Sequence, residues 1–215
     1  MIKSLSKSEC EALVNLCPAY LQHFQAHKNS LLVKVLGLFR ASSGQHFIVL
    51  ENVLPIKPVV VYDMKGSTIH RRAAEGSSTL LDKNWKEDNR FVLLNVATRD
   101  SIMDQISKDV QLLRAHNLMD YSLLVGVAEK QDIQDTTNLG PHCFLSGDGE
   151  SLYELGIIDF LQVYNTKKKV THAIKSVVHQ GDQLSTVHPG LYADRFVEFA
   201  KHFVFDTVYD EDALM

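Results

Sequence analysis

Aspartate and lysine side chains recur at the ends of apolar runs in this 215-residue chain. Asp63-Met64-Lys65-Gly66-Ser67 closes the run at residues 59–62, Asp120 stands just before the run at 121–128, and Asp159 ends Leu155-Gly156-Ile157-Ile158. A carboxylate at the end of an unbroken apolar strand is awkward to pack, because burying it without a partner is costly. Taken singly, each aspartate reads first as a helix cap or a turn residue. Taken together, three strand-end aspartates converging on one cleft, with a lysine beside them, suit magnesium and a hydroxyl nucleophile. Those are the needs of phosphoryl transfer.

Such a cleft needs elements on both sides. Ser6 ahead of Glu9, and Ser8 ahead of Glu11, have capping-box spacing, so residues 6–26 are predicted helical. Cys10, Leu13, Val14, Cys17, Leu21 and Phe24 would form the apolar face, and Pro18 would kink or split the helix. Residues 31–39, 46–53 and 59–62 are β-branched-rich and read as neighbouring antiparallel strands. Residues 66–90 read as a long polar loop. Ile102, Met103, Ile106, Val110 and Leu113 mark a second helix with Asp100 as its cap. Residues 121–128 and 152–160 are further strands, separated by a polar turn region at 131–140. Residues 167–178 and 189–205 have helical spacing, the second with Pro189 in the first turn, and 206–215 form an acidic surface tail. A helix on antiparallel strands, then a more helical half, predicts an α+β fold of two unequal lobes with a ligand cleft between them.

Composition narrows the function classes. At 45% hydrophobic and 22% charged residues the chain is neither disordered nor fibrous. Its net charge of −4 argues against nucleic acid as a partner. Cys10, Cys17 and Cys143 are scattered, so neither a disulfide framework nor a zinc site is indicated and a reducing compartment is expected. No apolar run approaches the roughly 20 residues of a membrane span, and the first residues lack a signal peptide's apolar block. A cytoplasmic protein is expected.

Three segments carry a resemblance. Tyr62-Asp63-Met64-Lys65-Gly66-Ser67-Thr68, Met119-Asp120-Tyr121-Ser122-Leu123-Leu124-Val125-Gly126 and Gly156-Ile157-Ile158-Asp159-Phe160 resemble, in order, signature segments of the phosphatidylinositol phosphate kinase family. The likeness extends through Lys167-Lys168-Lys169 and Tyr192-Ala193-Asp194-Arg195-Phe196, and back to Leu32-Val33-Lys34-Val35-Leu36-Gly37-Leu38 and Leu50-Glu51-Asn52-Val53. It implies one catalytic domain over 1–215 with a protein-kinase-related fold: a reduced N-lobe and hinge over about 1–54, and a C-lobe over about 55–215. It implies ATP and Mg²⁺ as cofactors. By the resemblance Lys3 holds the ATP phosphates, Glu11 orients it, Asn52 and Val53 meet adenine, Asp120 is the catalytic aspartate and Asp159 binds the metal. Asp63 and Lys65 would line the site near the transferred phosphate. Arg71 and Arg72 are suited to gripping the phosphate already on the inositol ring by forked hydrogen bonds.

The net charge conceals a basic stretch. Residues 167–181 hold Lys167, Lys168, Lys169 and Lys175, two histidines and no carboxylate. In the family this resembles the specificity loop, here about 164–188, which engages the membrane and selects the lipid headgroup. At about 1 kcal/mol per lysine near an anionic surface it would give reversible, peripheral attachment. An ordinary solvated helix face is the alternative. Thr171 falls where relatives using the 4-phosphate carry Glu and those using the 5-phosphate carry Ala, so the resemblance leaves the ring position open. The family's glycine-rich loop precedes the lysine matched by Lys3, and only Met1 and Ile2 precede it here. Three readings follow: a phosphatidylinositol monophosphate kinase, a soluble inositol phosphate kinase on the same scaffold, and a catalytically weak phosphoinositide-binding relative.

Overall fold

The computed structural model describes residues 1–129, 140, 142–164 and 188–207. Strand β1 (Ile2–Leu5), helix α1 (Lys7–Ala26) and strands β2 (Val35–Arg40) and β3 (His46–Leu50) come first, and the strands form one antiparallel sheet in the order β1-β3-β2. Lys3 lies on β1 opposite Ile48. The capping box at the start of α1 is formed: the Ser6 hydroxyl accepts from the Glu9 amide at 3.3 Å, and the Glu9 carboxylate accepts from the Ser6 amide at 2.8 Å.

The expected apolar face of α1 is corrected, and of the two effects expected of Pro18 splitting does not occur. The Val14 carbonyl, which loses its donor to the proline ring, sits on the exposed side where water can satisfy it. The buried face is Ala12, Leu13, Leu16, Tyr20 and His23, while Val14, Cys17 and Leu21 point outward. Polar tips decide this rotation. The Tyr20 hydroxyl donates to the Val33 carbonyl at 2.8 Å and accepts from the Val35 amide at 3.0 Å. His23 Nε2 lies 2.6 Å from the fully buried Asp109 on α3 (Val96–Ala115). Asp109 also accepts from Ser30 Oγ, the Leu31 amide and Gln105 Nε2 at 2.7–2.8 Å. A satisfied buried carboxylate thus ties α1, its exit loop and α3 together.

The larger sheet runs β5 (Leu80–Leu81), β4 (Val60–Met64), β8 (Ser122–Glu129), β10 (Ser151–Ile158), β9 (Cys143–Leu145). Strand β4 is therefore not the neighbour of β3: it pairs antiparallel with β8 and parallel with β5. The proline-containing connector 51–59 crosses between sheets instead of turning tightly. Gly126 makes room for it, since a Cβ there would meet Leu54 Cδ2 at 2.8 Å and Pro58 Cβ at 3.3 Å. A parallel bridge of Leu32 with Ile157 links the α1 exit to β10.

The predicted loop at 66–90 contains β5 and the short helix α2 (Asp82–Glu87), anchored by the buried Trp85, whose indole donates to the Phe203 carbonyl at 2.6 Å. The cap of α3 is Asn95, which accepts from the Thr98 amide at 2.9 Å, and not Asp100. Short pairs β7 (Leu118–Met119) with β11 (Gln162–Val163) and β6 (Val92–Leu94) with β12 (Phe205–Thr207) complete the sheets. Helix α4 (Pro189–Phe199) is shorter than expected and continues as a π-helical turn, Ala200–Val204, before β12. The fold is α+β. The turn predicted at 131–140 lies outside the described residues apart from Gly140, and so do the helix predicted at 167–178 and residues 208–215 of the tail.

One buried charge stands out in the larger sheet. Glu154, in the middle of β10, is fully buried; its Oε1 accepts from the Ile56 amide at 2.8 Å while Oε2 has no hydrogen-bond partner among the described residues. Burial raises its pKa from 4.5 to about 7. Below pH 4.5 both folded and unfolded chains carry the proton. Between 4.5 and 7 only the unfolded chain gives it up, so stability falls as pH rises through that window. Glu154→Gln keeps an acceptor for Ile56 and removes the titration. It is expected to raise Tm at pH 8 by about 5–10 °C, from roughly 2–3 kcal/mol, with the gain shrinking towards pH 4.5. Thermal unfolding of both proteins at pH 5, 6.5 and 8 checks this; equal gains at all three would contradict it.

Candidate active site

A cleft of about 180 Å³ opens between the smaller sheet and the ends of β7, β8 and β10. Its apolar walls are Leu5, Val33, Ile48, Leu50 and Phe160; its polar groups include Lys3, Glu9, Lys65, Asp120 and Asp159. These form two ion pairs. Lys3 Nζ is 2.6 Å from Asp159 Oδ1, and Lys65 Nζ is 2.9 Å from Asp120 Oδ1. The first pair has side-chain exposures of 44% and 41%, the second 17% and 29%. Water screens the outer pair more, so an anionic ligand can draw Lys3 away at small cost, whereas Lys65 and Asp120 form the more fixed element.

Backbone geometry aims these side chains. Asp120 and Asp159 both adopt left-handed conformations, with φ of +66° and +59°. Non-glycine residues rarely do so, and such positions concentrate at functional sites. Lys65 is followed by Gly66 at φ +71°, where a Cβ would come within 3.3 Å of Phe196 Cα and Phe199 Cβ on α4. The chain turns tightly there because glycine allows it.

The other candidates sit elsewhere. Asp63 is not in the cleft wall; Arg71 holds it, with one guanidinium nitrogen 2.7 Å from its carboxylate and 2.6 Å from its carbonyl. The same arginine donates through Nε to Asp82 at 2.8 Å, so its fork is engaged within the protein. Arg72 pairs with Glu87 at 2.9 Å near the surface. Glu11 does not face Lys3: it is exposed and 3.9 Å from Lys7, one helical turn back. Counting from the cap, it is Glu9 that reaches the cleft. Asn52 folds back on the connector, its side chain bonding the Leu54 amide and carbonyl, and Val53 is buried against Gly156. Lys168, Lys169 and Thr171 lie outside the described residues.

Sequence reasoning passed over Asp82. Fully buried at the start of α2, it accepts from the Lys65 amide at 2.9 Å, the Ser67 amide at 3.0 Å and Arg71. It thereby fixes the loop that carries Lys65. Its one visible signal is an aspartate followed three residues later by Trp85, an apolar anchor in an otherwise charged stretch.

Among the described residues no group of three or more metal-ligating side chains is found. Mg²⁺ that arrives on phosphates needs only one or two protein carboxylates, so Asp159 alone can serve as its protein donor. Among the described residues no helix is long and apolar enough to cross a membrane.

An α+β chain that brings two lysines and two aspartates to one cleft has the charge arrangement of a phosphotransferase. Comparison with known proteins agrees. The family model for phosphatidylinositol-4-phosphate 5-kinase matches residues 1–144 and 144–203, and the chain belongs to that family of phosphatidylinositol phosphate kinases. It is 30% identical to human phosphatidylinositol 4-phosphate 5-kinase type-1 beta, over 97% of this chain and 49% of that protein. It is 29% identical to the phosphatidylinositol 5-phosphate 4-kinase type-2 gamma of Xenopus tropicalis, over 93% of this chain and 62% of that protein. A probable phosphatidylinositol phosphate kinase of Dictyostelium discoideum is 29% identical, over 93% of this chain and 38% of its own length. The chain spans between about two fifths and three fifths of the length of these relatives.

Proposed function

We propose that this chain transfers the γ-phosphoryl group of ATP to an inositol-ring hydroxyl of a phosphatidylinositol monophosphate. The observation that carries the reading is the convergence of Lys3, Lys65, Asp120 and Asp159 on one cleft in a chain of this family. In this reading the smaller sheet with α1 belongs to the N-lobe of a protein-kinase-related fold and the rest is the C-lobe. Lys3 neutralises the nucleotide phosphates, and the adenine is met by the backbone of residues 52–53, since the Asn52 side chain is bound to Leu54 and Val53 is buried. Asp159 would hold Mg²⁺, which when bound would offset the charge that builds on the phosphates. Asp120 orients the attacking hydroxyl and accepts its proton, while Lys65 holds that carboxylate in place. Asp63 acts at one remove, through Arg71. Arg72, 60% exposed in its side chain, is the better placed of the two arginines to meet the phosphate on the ring. The basic stretch containing Lys168, Lys169 and Thr171 supplies headgroup choice and contact with an anionic, cytoplasmic membrane surface.

The test is one panel. Purified wild type and Asp159→Asn are given radiolabelled ATP with vesicles containing phosphatidylinositol 4-phosphate or 5-phosphate, or with soluble inositol phosphates. Wild type is expected to label lipid, with the variant at least about 10³-fold slower. Label found on soluble inositol phosphates alone would instead establish a soluble acceptor, and nucleotide-independent lipid binding without product would establish a binding protein.

A further inference from the structure

Tyr192 takes no part in the cleft wall. It lies on α4 with no exposed surface, yet its hydroxyl donates a hydrogen bond to the Tyr121 carbonyl, one residue beyond Asp120. The Tyr121 ring packs edge-on against the Tyr192 ring, with centroids 4.7 Å apart, and against Phe196 at 5.0 Å. Phe196 also backs Gly66, so one helix supports the chain behind both Lys65 and Asp120.

The conformation of Asp120 needs such support. A left-handed aspartate persists only where its surroundings over-determine it. On the N-terminal side, pairing of Met119 with Gln162 holds the backbone. On the C-terminal side, Tyr121 is fixed twice, by its ring and by its carbonyl. Between these clamps Asp120 cannot relax into an ordinary extended or helical conformation, either of which would swing its carboxylate off Lys65. Burial raises the Tyr192 phenol well above its ordinary pKa, so the hydroxyl keeps its proton for the bond.

We propose that Tyr192 is a positioning residue, whose hydroxyl acts through the Tyr121 carbonyl to keep the Asp120 carboxylate aimed at Lys65 and the attacking hydroxyl. The inference rests on the reading of Asp120 given above. It separates alignment for chemistry from binding of nucleotide, which Tyr192 does not approach.

Tyr192→Phe deletes the hydroxyl and keeps the ring. Tyr62→Phe is the matched control: it deletes another buried tyrosine's hydroxyl bond, 2.6 Å to Asp88, away from Asp120. Both are assayed with wild type and Asp120→Asn for kcat, KM for ATP and folded fraction, on vesicles of the accepted lipid. Tyr192→Phe is expected to lower kcat at least tenfold per folded molecule with KM for ATP within twofold of wild type, while Tyr62→Phe keeps wild-type kcat. Phe196→Leu, which loosens the Tyr121 ring but spares the hydroxyl, should lower kcat less, and it carries the test if Tyr192→Phe fails to fold. The proposal is overturned if Asp120→Asn is inactive while Tyr192→Phe, or a folded Phe196→Leu in its place, turns over within twofold of wild type. A loss equal to that of Tyr62→Phe overturns it as well. Activity retained by Asp120→Asn would instead remove the role assigned to Asp120, and the proposal with it.

Discussion

Asp120→Asn is expected to lower kcat for phosphoryl transfer by at least about 10³-fold, roughly 4 kcal/mol of barrier, while leaving KM for ATP nearly unchanged. The substitution is chosen for its conformation. Asparagine is among the few residues at ease at a φ of +66°, so the backbone of the site should survive the change. What disappears is the charge: an amide cannot accept the proton of the attacking hydroxyl, and it holds the Lys65 ammonium only as a neutral acceptor. The Lys65 side chain is 17% exposed, so it loses its ionic partner in a partly dry setting, and a fall in Tm of a few degrees is expected beside the kinetic loss. Initial rates over a range of ATP concentrations, with circular dichroism on the same samples, make the measurement. A kcat within tenfold of wild type would remove Asp120 from the chemistry. A rise in KM for ATP at constant kcat would make it a nucleotide-binding group.

Why Asp120 was visible in the sequence, and Asp82 was not, is a matter of what local patterns report. Strand-end aspartates announce themselves because they interrupt apolar runs, and Asp120 and Asp159 do each pair with a lysine in one cleft. Asp63 gives the same signal for a different cause: its carboxylate serves as a partner for Arg71. Spacing alone cannot tell a cleft carboxylate from a clamped one. Glu9 and Glu11 show the limit in another form, since both satisfy a capping-box rule with a preceding serine. Only the chosen cap, Ser6, decides that Glu9 turns inward and Glu11 out. The face of α1 was shifted for a related reason. Hydropathy ranks Val14 and Leu21 above Tyr20 and His23, but the latter bury their rings because buried acceptors and donors await them in Val33, Val35 and Asp109. Strand β4 was legible as a strand and not as to its sheet, because the crossing of residues 51–59 depends on the space left by Gly126, a contact remote in sequence. Asp82 combines all of these difficulties: a helix of six residues has no period to read, and the three groups it binds lie 11–17 residues earlier.

Asp82→Ala is accordingly expected to be the most damaging single change to the fold around the site. Three donors converge on this carboxylate, which has no exposed surface, and one of them belongs to an arginine only 16% exposed in its side chain. Removing one member of a buried, hydrogen-bonded charge pair costs about 3–5 kcal/mol, because the remaining charge is left without its partner in a poorly solvated place. Asp63 still holds part of the Arg71 fork, which places the loss near 3 kcal/mol and the fall in Tm at about 6–12 °C for a chain of this size. Asp82→Asn divides the effect. Its remaining oxygen can still accept from the Lys65 and Ser67 amides, whereas its NH₂ group faces Arg71 Nε, donor against donor. The loop should therefore hold while the arginine is released. If the Lys65 loop is what matters for turnover, Asp82→Asn keeps most of the wild-type kcat at a reduced Tm, and Asp82→Ala loses both. If instead Arg71 acts directly on the ring phosphate, freeing it from Asp82 alters KM for the lipid acceptor and leaves kcat alone. Denaturant unfolding together with kcat and KM for lipid, measured on both variants, separates these outcomes. A destabilisation under about 1 kcal/mol in Asp82→Ala would mean that the buried carboxylate does not hold this loop.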